Sequence, residues 1–240
     1  MRLCTCRTLP LALILGCNAL SPNSPVPAND EAVPIAQAAE KKIVPSEVDP
    51  KQQLKEAANR LDVGDEAGAL PSLTAYVAAR PEHAAMRAHL AELLFRLHQP
   101  VAAKRHLERY VADAQEQGET SDLHLIHAQT RLVEIAAGEG DVFAERLHRG
   151  IGLYLLAERE CAAREVDDAF VEKTTFLAIA ELKAAVAERP DEPRPHWYLF
   201  KAWSQLGQRL PAETHLRRAR ALALLGGLTP AETESLAGGH

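Results

Sequence analysis

The chain has 240 residues, 47% of them hydrophobic and 25% charged, with 33 acidic against 27 basic side chains and a formal net charge of −6. That balance, with no cluster of Lys and Arg interleaved with aromatics, disfavours nucleic-acid binding. Three of the four cysteines fall within the first seventeen residues, so no disulfide framework is available, and the remaining Cys161 is expected to be a small core hydrophobe.

The chain opens on an export signal. Arg2 and Arg7 form a positive n-region, Leu9 to Leu15 a short apolar run, and Ile14-Leu15-Gly16-Cys17 closes it. The run covers about a third of the ~20 residues a membrane-spanning helix needs, and Pro10 interrupts its start. The closing four residues resemble the bacterial lipobox. The resemblance implies that residues 1–16 are a lipoprotein signal peptide and that the Cys17 thiol is diacylated before the chain is cut ahead of it. An ordinary signal peptide cleaved slightly later, with Cys17 a bystander, is the other reading. Several acyl chains at ~0.8 kcal/mol per buried methylene would hold stably in a bilayer. By the bacterial sorting rule, Asn18 rather than Asp after the cysteine implies the outer membrane, facing the periplasm. Loss of Arg2 and Arg7 with the signal would leave the remainder more acidic still.

Residues 17–49 change character. Pro22, Pro25, Pro27, Pro34 and Pro45 are scattered among Ser, Ala, Asn and Glu, a composition that buries too little apolar surface to order itself. The segment reads as a disordered tether with a reach of at most ~100 Å at ~3.1 Å per residue.

From residue 50 to 226 the pattern is helical and periodic. Ala69, Leu73, Tyr76 and Val77 recur 34 residues later as Ala103, Leu107, Tyr110 and Val111, and Ala178, Leu182 and Ala185 recur as Ala212, Leu216 and Ala219. Small residues at Ala57, Ala91, Ala69 and Ala103 would let antiparallel helices approach closely, with Leu73 and Leu107 filling the groove between neighbours. Gly64-Asp65 supplies a helix stop and then an N-cap, Pro100 fits a first helical position, and Pro81 and Pro190 cannot continue a helix. These features predict nine helices, at about Asp49 to Val63, Asp65 to Ala79, Glu82 to Leu97, Pro100 to Gln115, Ser121 to Ala137, Asp141 to Glu160, Val166 to Glu188, Pro193 to Leu206 and Gln208 to Leu225. A further short capping helix, begun by Thr229-Pro230-Ala231-Glu232 within residues 227–240, is expected to cover the last hairpin.

The pattern resembles the tetratricopeptide repeat: Ala57, Gly64, Asp65, Ala69, Leu73 and Pro81 in the first copy, Leu90, Ala91, Leu94, Ala103 and Leu107 in the second, and Leu199, Trp203, Gly207, Ala212 and Leu216 in the last. The resemblance implies an all-α, right-handed solenoid of antiparallel helical hairpins. Two departures stand out. Phe200 occupies a place where the family has a small residue, and Ala103 to Ala178 spans two repeats plus seven residues. An odd number of helices cannot alternate strictly, so the irregularity is placed between Asp141 and Arg189, where Gly150 and Gly152 break or closely pack one helix.

No constellation that carries chemistry survives inspection. His124 and His127 share a helical face but lack a third close ligand, so no metal is expected. The acids Glu158, Glu160, Asp167 and Asp168 read as caps or solvated charge, and no phosphate loop, dinucleotide fingerprint or nucleophile elbow occurs, so no cofactor is expected. An enzyme in its own right would need a convergent acid, base and nucleophile, and none can be named.

The repeat family's inward-facing positions, carried over residue by residue, fall on Lys51, Leu54, Ala58 and Leu61, then Ala88, Glu92, Phe95 and Arg96, then Arg194, Trp197, Lys201 and Gln205. Arg194, Trp197 and Lys201 would place two cations beside an indole on one helical face, suited to an acidic ligand; Trp197 and Trp203 as core, with the cations merely solvated, is the alternative. The carboxylate-clamp variety of the family is not matched, because it needs paired Asn and the repeat region has only Asn59. The sequence therefore points to a non-enzymatic protein–protein interaction scaffold, lipid-anchored in the cell envelope. It resembles repeat lipoproteins of outer-membrane protein assembly or pilus pilotins. An accessory or regulatory subunit of an envelope enzyme complex is the alternative. Partners would be other proteins or peptide segments, and the bilayer through Cys17.

Overall fold

The computed structural model describes residues 49–117, 123–163, 167–224 and 226–238. The signal peptide, Cys17 and almost all of the tether lie outside the described residues. Ten α-helices follow one another: α1 Pro50–Asp62, α2 Glu66–Ala79, α3 Ala84–Arg96, α4 Pro100–Glu116, α5 Leu123–Glu139, α6 Val142–Ala163, α7 Asp168–Glu188, α8 Pro193–Gln205, α9 Arg209–Ala223 and α10 Pro230–Gly238. No strand occurs among the described residues, and none of the described helices is long and apolar enough to cross a membrane.

The helix ends follow from local chemistry. Pro50, Pro100 and Pro193 occupy first-turn positions, where a missing N–H costs nothing. Asp49, Asp65, Asp141 and Asp167 accept hydrogen bonds from first-turn amides at 2.9–3.0 Å. Four hairpin turns share one C-cap, in which an amide reaches back five residues: Asp65 N to Arg60 O, Gln99 N to Leu94 O, Asp141 N to Ala136 O and Gln208 N to Trp203 O, at 2.8–3.0 Å. The cap needs a left-handed residue, and Gly64, Gly140 and Gly207 supply it at φ 77°, 71° and 68°. In the second hairpin the same place is held by His98 at φ 57°, a strained choice for a residue with a Cβ.

Those turns define the hairpins α1–α2, α3–α4, α5–α6 and α8–α9. Within and between them the recurring small residues are buried: Ala69, Ala103, Ala178, Ala185 and Ala219 are all completely so, with Leu73, Leu107 and Leu182 beside them. The fold is thus the expected all-α, TPR-like solenoid, and nine helices plus the short last one are present as predicted.

The extra helix is accommodated by α6, which packs against α5 on one side and α7 on the other. Gly150 and Gly152 do not break it; α6 runs unbroken through both. A Cβ on Gly150 would sit 2.6 Å from Leu182 Cγ of α7, and one on Gly152 would sit 3.4 Å from Gln129 Cβ of α5. The two glycines therefore face the two neighbours, and Gly150 lets Leu182 approach the α6 backbone. Phe200 is half-buried and packs on Trp197 at a ring distance of 5.3 Å. Cys161, expected in the core, is exposed near the C-terminal end of α6; its helical face turns outward in the last turn, where neighbouring helices no longer cover it. The last helix does more than cover α9: α10 packs against both α9 and α4.

Candidate functional site

The concave face has two regions. In the first, α1, α3 and α5 present side chains at helical spacing, and with Tyr76 of α2 and Tyr110 of α4 they enclose a groove of about 780 Å³. Its walls are apolar (Leu54, Met86, Ala88, Leu107) and its polar groups are mostly imidazoles, His83, His89, His124 and His127. Among the described residues no group of His, Cys, Asp and Glu is arranged to hold a metal ion. His83 Nδ1 is hydrogen-bonded to Tyr76 Oη across the helix junction, fixing both rings.

Glu92, an expected groove residue, lines this region and is bound bidentately by Arg131 of α5, at 2.9 and 2.8 Å. Burial pushes the Glu92 carboxyl up, but the Arg131 hydrogen bonds and charge outweigh it and hold it below the ordinary carboxylate range. Arg131 also reaches Glu134 at 2.7 Å and lies 4.8 Å over the ring of Phe95. Phe95 is thus a platform for a structural cation, and Arg96 is exposed and paired with Glu66 at 3.2 Å. Beside the groove, buried Asp113 is met by Arg109 at 2.7 Å; Arg87 Nε stands 3.2 Å away without hydrogen-bond alignment, a charge contact only.

The second region is the concave side of α4, α5, α6 and α8, and α10 lies in it. Thr229 and Glu232 form a capping box: Thr229 N donates to Glu232 Oε2 at 2.8 Å and Glu232 N to Thr229 Oγ1 at 3.2 Å. The same carboxylate accepts from Arg194 Nε at 3.2 Å and, at 3.5 Å, from Gln115 Nε2, whose main bond is to Tyr198 Oη at 2.8 Å. Thr229 Oγ1 donates to Gln115 Oε1 at 3.1 Å. Arg220 of α9 closes the other end by donating twice to the Leu236 carbonyl, at 3.3 and 3.1 Å.

The four groove positions expected on α8 have separate fates. Arg194 is engaged by Glu232. Trp197 is 4% exposed, its ring held among neighbours rather than offered outward. Lys201 stands with Nζ 4.9 Å over the ring of Tyr154 and 5.6 Å over that of Tyr198, and burial pulls its ammonium below the usual lysine range, opposed by the charges of Glu158 and Glu232. Gln205 has both side-chain polar atoms buried without a hydrogen-bond partner. Deeper in, His148 Nδ1–H donates to Gln129 Oε1 at 2.8 Å; burial, helped by the charge of Arg194, drops the imidazole to about 3, so it is neutral.

Gln115, Tyr154, Tyr198 and Glu232 were missed as groove residues. Thr229 to Glu232 was legible as a helix start, but nothing local tells that its carboxylate reaches Arg194, 38 positions away, and Gln115, 117 positions away.

Residues 53–129, spanning nearly all of the first two hairpins and the start of α5, match the tetratricopeptide repeat family. No curated protein matches the chain. Similar solved structures include a crystal structure of MamA protein, 16% identical, with 72% of this chain and 91% of that one covered at a TM-score of 0.36. Others are the TPR-like repeats of a putative kinesin light chain from Podosopora anserina (20%, 74% and 98%, 0.38) and residues 1–338 of an assembly chaperone of RpL4 (16%, 79% and 82%, 0.39). Residues 53–129 are thus matched by the tetratricopeptide repeat, within an all-α, TPR-like solenoid.

Proposed function

We propose that this chain is a non-enzymatic protein–protein interaction scaffold, anchored through acylated Cys17 in the outer membrane of a bacterial cell envelope and facing the periplasm. The observation that carries the scaffold reading is the groove of about 780 Å³ across α1, α3 and α5, apolar-walled, edged with imidazoles and open along the concave face. Such a surface takes an extended or helical peptide, with main-chain and tyrosine or histidine contacts at the edges and apolar side chains inside. The anchor reading rests on Leu15-Gly16-Cys17 after a positive and an apolar run.

One experiment addresses both. The chain is crosslinked and purified from membranes of the native host as wild type, Cys17→Ser and Ala88→Arg, the last filling the groove wall with a charged chain. A specific co-purifying protein retained by wild type and lost with Ala88→Arg supports the scaffold. A mature mass beginning at Cys17 with added acyl chains, lost together with membrane attachment in Cys17→Ser, supports the anchor. Absence of any specific partner for wild type sinks the first reading; an unmodified soluble mass for wild type sinks the second.

A further inference from the structure

The chain's own last helix covers the C-terminal part of the concave face, and it does so unevenly. Only two side chains of α10 are buried, Glu232 and Leu236, one turn apart. Glu232 is fully engaged by Arg194, Gln115 and the capping box. The neighbouring stripe is not. Ala231 and Ser235 border a space of about 60 Å³ shared with Lys201 and Trp197, and a polar cavity of about 260 Å³ lies under Thr229 and Glu232, next to His148. Lys201 faces two tyrosine rings and is ion-paired with no carboxylate among the described residues; Glu158, the nearby acid, accepts from Tyr154 Oη at 2.8 Å and leaves its other oxygen buried without a hydrogen-bond partner. The link to α9 passes through Gly226 and Gly227, at φ 95° and 91°.

We propose that this part of the groove is an acceptor site for a short acidic helix of another protein, and that α10 is its tethered, under-filled stand-in. The proposal rests on the scaffold reading above. The site dictates the chemistry of the incoming helix. It carries a carboxylate at the third helical position for Arg194 and Gln115, a leucine one turn later, and a second carboxylate on the Ala231/Ser235 stripe to meet Lys201. A cation held between aromatic faces away from water gains most from a carboxylate delivered to it, and α10 offers only alanine and serine there. Tethering compensates for the missing contact, since a short covalent link gives an effective concentration of millimolar order. A ligand with the extra ion pair therefore competes with α10 better than a ligand that only matches it.

The test uses fluorescein-labelled peptides of residues 228–240, in native sequence and as Ser235→Glu, titrated by anisotropy into the full chain. The Ser235→Glu peptide should bind wild type about tenfold more tightly than the native-sequence peptide. Glu232→Gln in the chain, which loosens α10, should tighten both peptides by about tenfold, and Leu236→Ala serves if that variant misfolds. Lys201→Met should erase the Ser235→Glu gain without altering native-peptide binding, and Arg194→Gln, placed in the Glu232→Gln chain so that the tethered helix no longer competes through the same contact, should weaken both. Equal affinity of the two peptides, or a gain that survives Lys201→Met, overturns the proposal. So does a Glu232→Gln dimer by light scattering that excludes peptide, because the occupant is then a second copy's α10. A membrane partner lost with Ala88→Arg but indifferent to Arg194→Gln and Lys201→Met overturns this proposal while leaving the scaffold reading intact.

Discussion

The two regions of the concave face are built from the same kind of hairpin and end in opposite states. Over α1, α3 and α5 the groove is open, walled by leucine, methionine and alanine, and its charges are settled within the wall by the Arg131 to Glu92 pair. Over α6 and α8 the groove is occupied by α10, which settles the charge of Arg194 and leaves Lys201 over two tyrosine rings without an ion pair among the described residues. The difference teaches that a repeat stack fixes the shape of a groove but not its availability. A nine-residue helix joined to α9 through Gly226 and Gly227 decides that.

The sharpest way to break the comparison asks whether the two regions fold as one unit. Leu90 in α3 and Leu182 in α7 are both completely buried, so either one changed to Ala should cost about 2–5 kcal/mol. Trp197 and Trp203 are both on α8, so their fluorescence reports the C-terminal region while far-ultraviolet circular dichroism reports all helices. If Leu90→Ala lowers the urea midpoint equally by both probes, the solenoid is cooperative; fluorescence that lags behind circular dichroism shows that the regions unfold separately.

Acid should strike the C-terminal region harder. His148 is neutral in the folded chain and titrates near 3, against about 6.5 when exposed. A group whose folded pKa is depressed contributes stability that is present above the unfolded pKa and lost as the pH falls towards the folded one. Between pH 6.5 and 4.5 the loss should approach 2 kcal/mol, at about 1.4 kcal/mol per pH unit once the unfolded imidazole is charged. His215, held near 4 chiefly by burial and then by His196 and Lys183, adds to the slope with the same sign. Melting His148→Asn against wild type across that window should show a shallower decline; an unchanged slope refutes the assignment.

A smaller, local effect is expected at α10. Glu232→Ala removes a capping box and leaves Arg194 without its acceptor, worth about 1–2 kcal/mol. Hydrogen exchange should quicken at amides 233–238 and stay unchanged at α1 to α3. Equal protection in α10 before and after would mean that Leu236 and Arg220 alone hold it.

The smallest effect concerns the open region, and it is stabilising. His98 holds the left-handed turn position that glycine holds in three other hairpins, so His98→Gly should raise stability by about 0.5–1 kcal/mol. A thermal midpoint that falls instead would show that the His98 side chain makes a contact worth more than the strain.

Much of this architecture was legible because its causes are local. Asp65 and Gly207 set helix ends through hydrogen bonds no more than five residues long, Pro100 through its fixed φ and absent N–H, and a recurring Ala and Leu one turn apart announces a packed helical face. On α3, Ala88 and Glu92 share a helical face by spacing alone and both border the cavity, whereas Phe95 and Arg96, read on the same face, do not. Lys201 and Arg194 were read as offered cations from the repeat family's inward-facing positions and their helical spacing, with merely solvated cations as the alternative. The sequence did not reveal that Tyr154, two helices earlier, lies beneath one of them and Glu232, two helices later, binds the other. Cys161 was misread because apolar character predicts burial only where a neighbouring helix is present to provide it.

What the sequence determined by itself, then, is the list of helices, their caps and the register of their small residues, because each depends on groups within a turn or two of one another. The tertiary structure alone decided that α6 is shared between α5 and α7 across Gly152 and Gly150, and that α10 turns back into the groove. Both depend on surfaces brought together from distant parts of the chain, and the free energy that selects them comes from burying Leu182 and Leu236 and from pairing Glu232 with Arg194, partners no local pattern names.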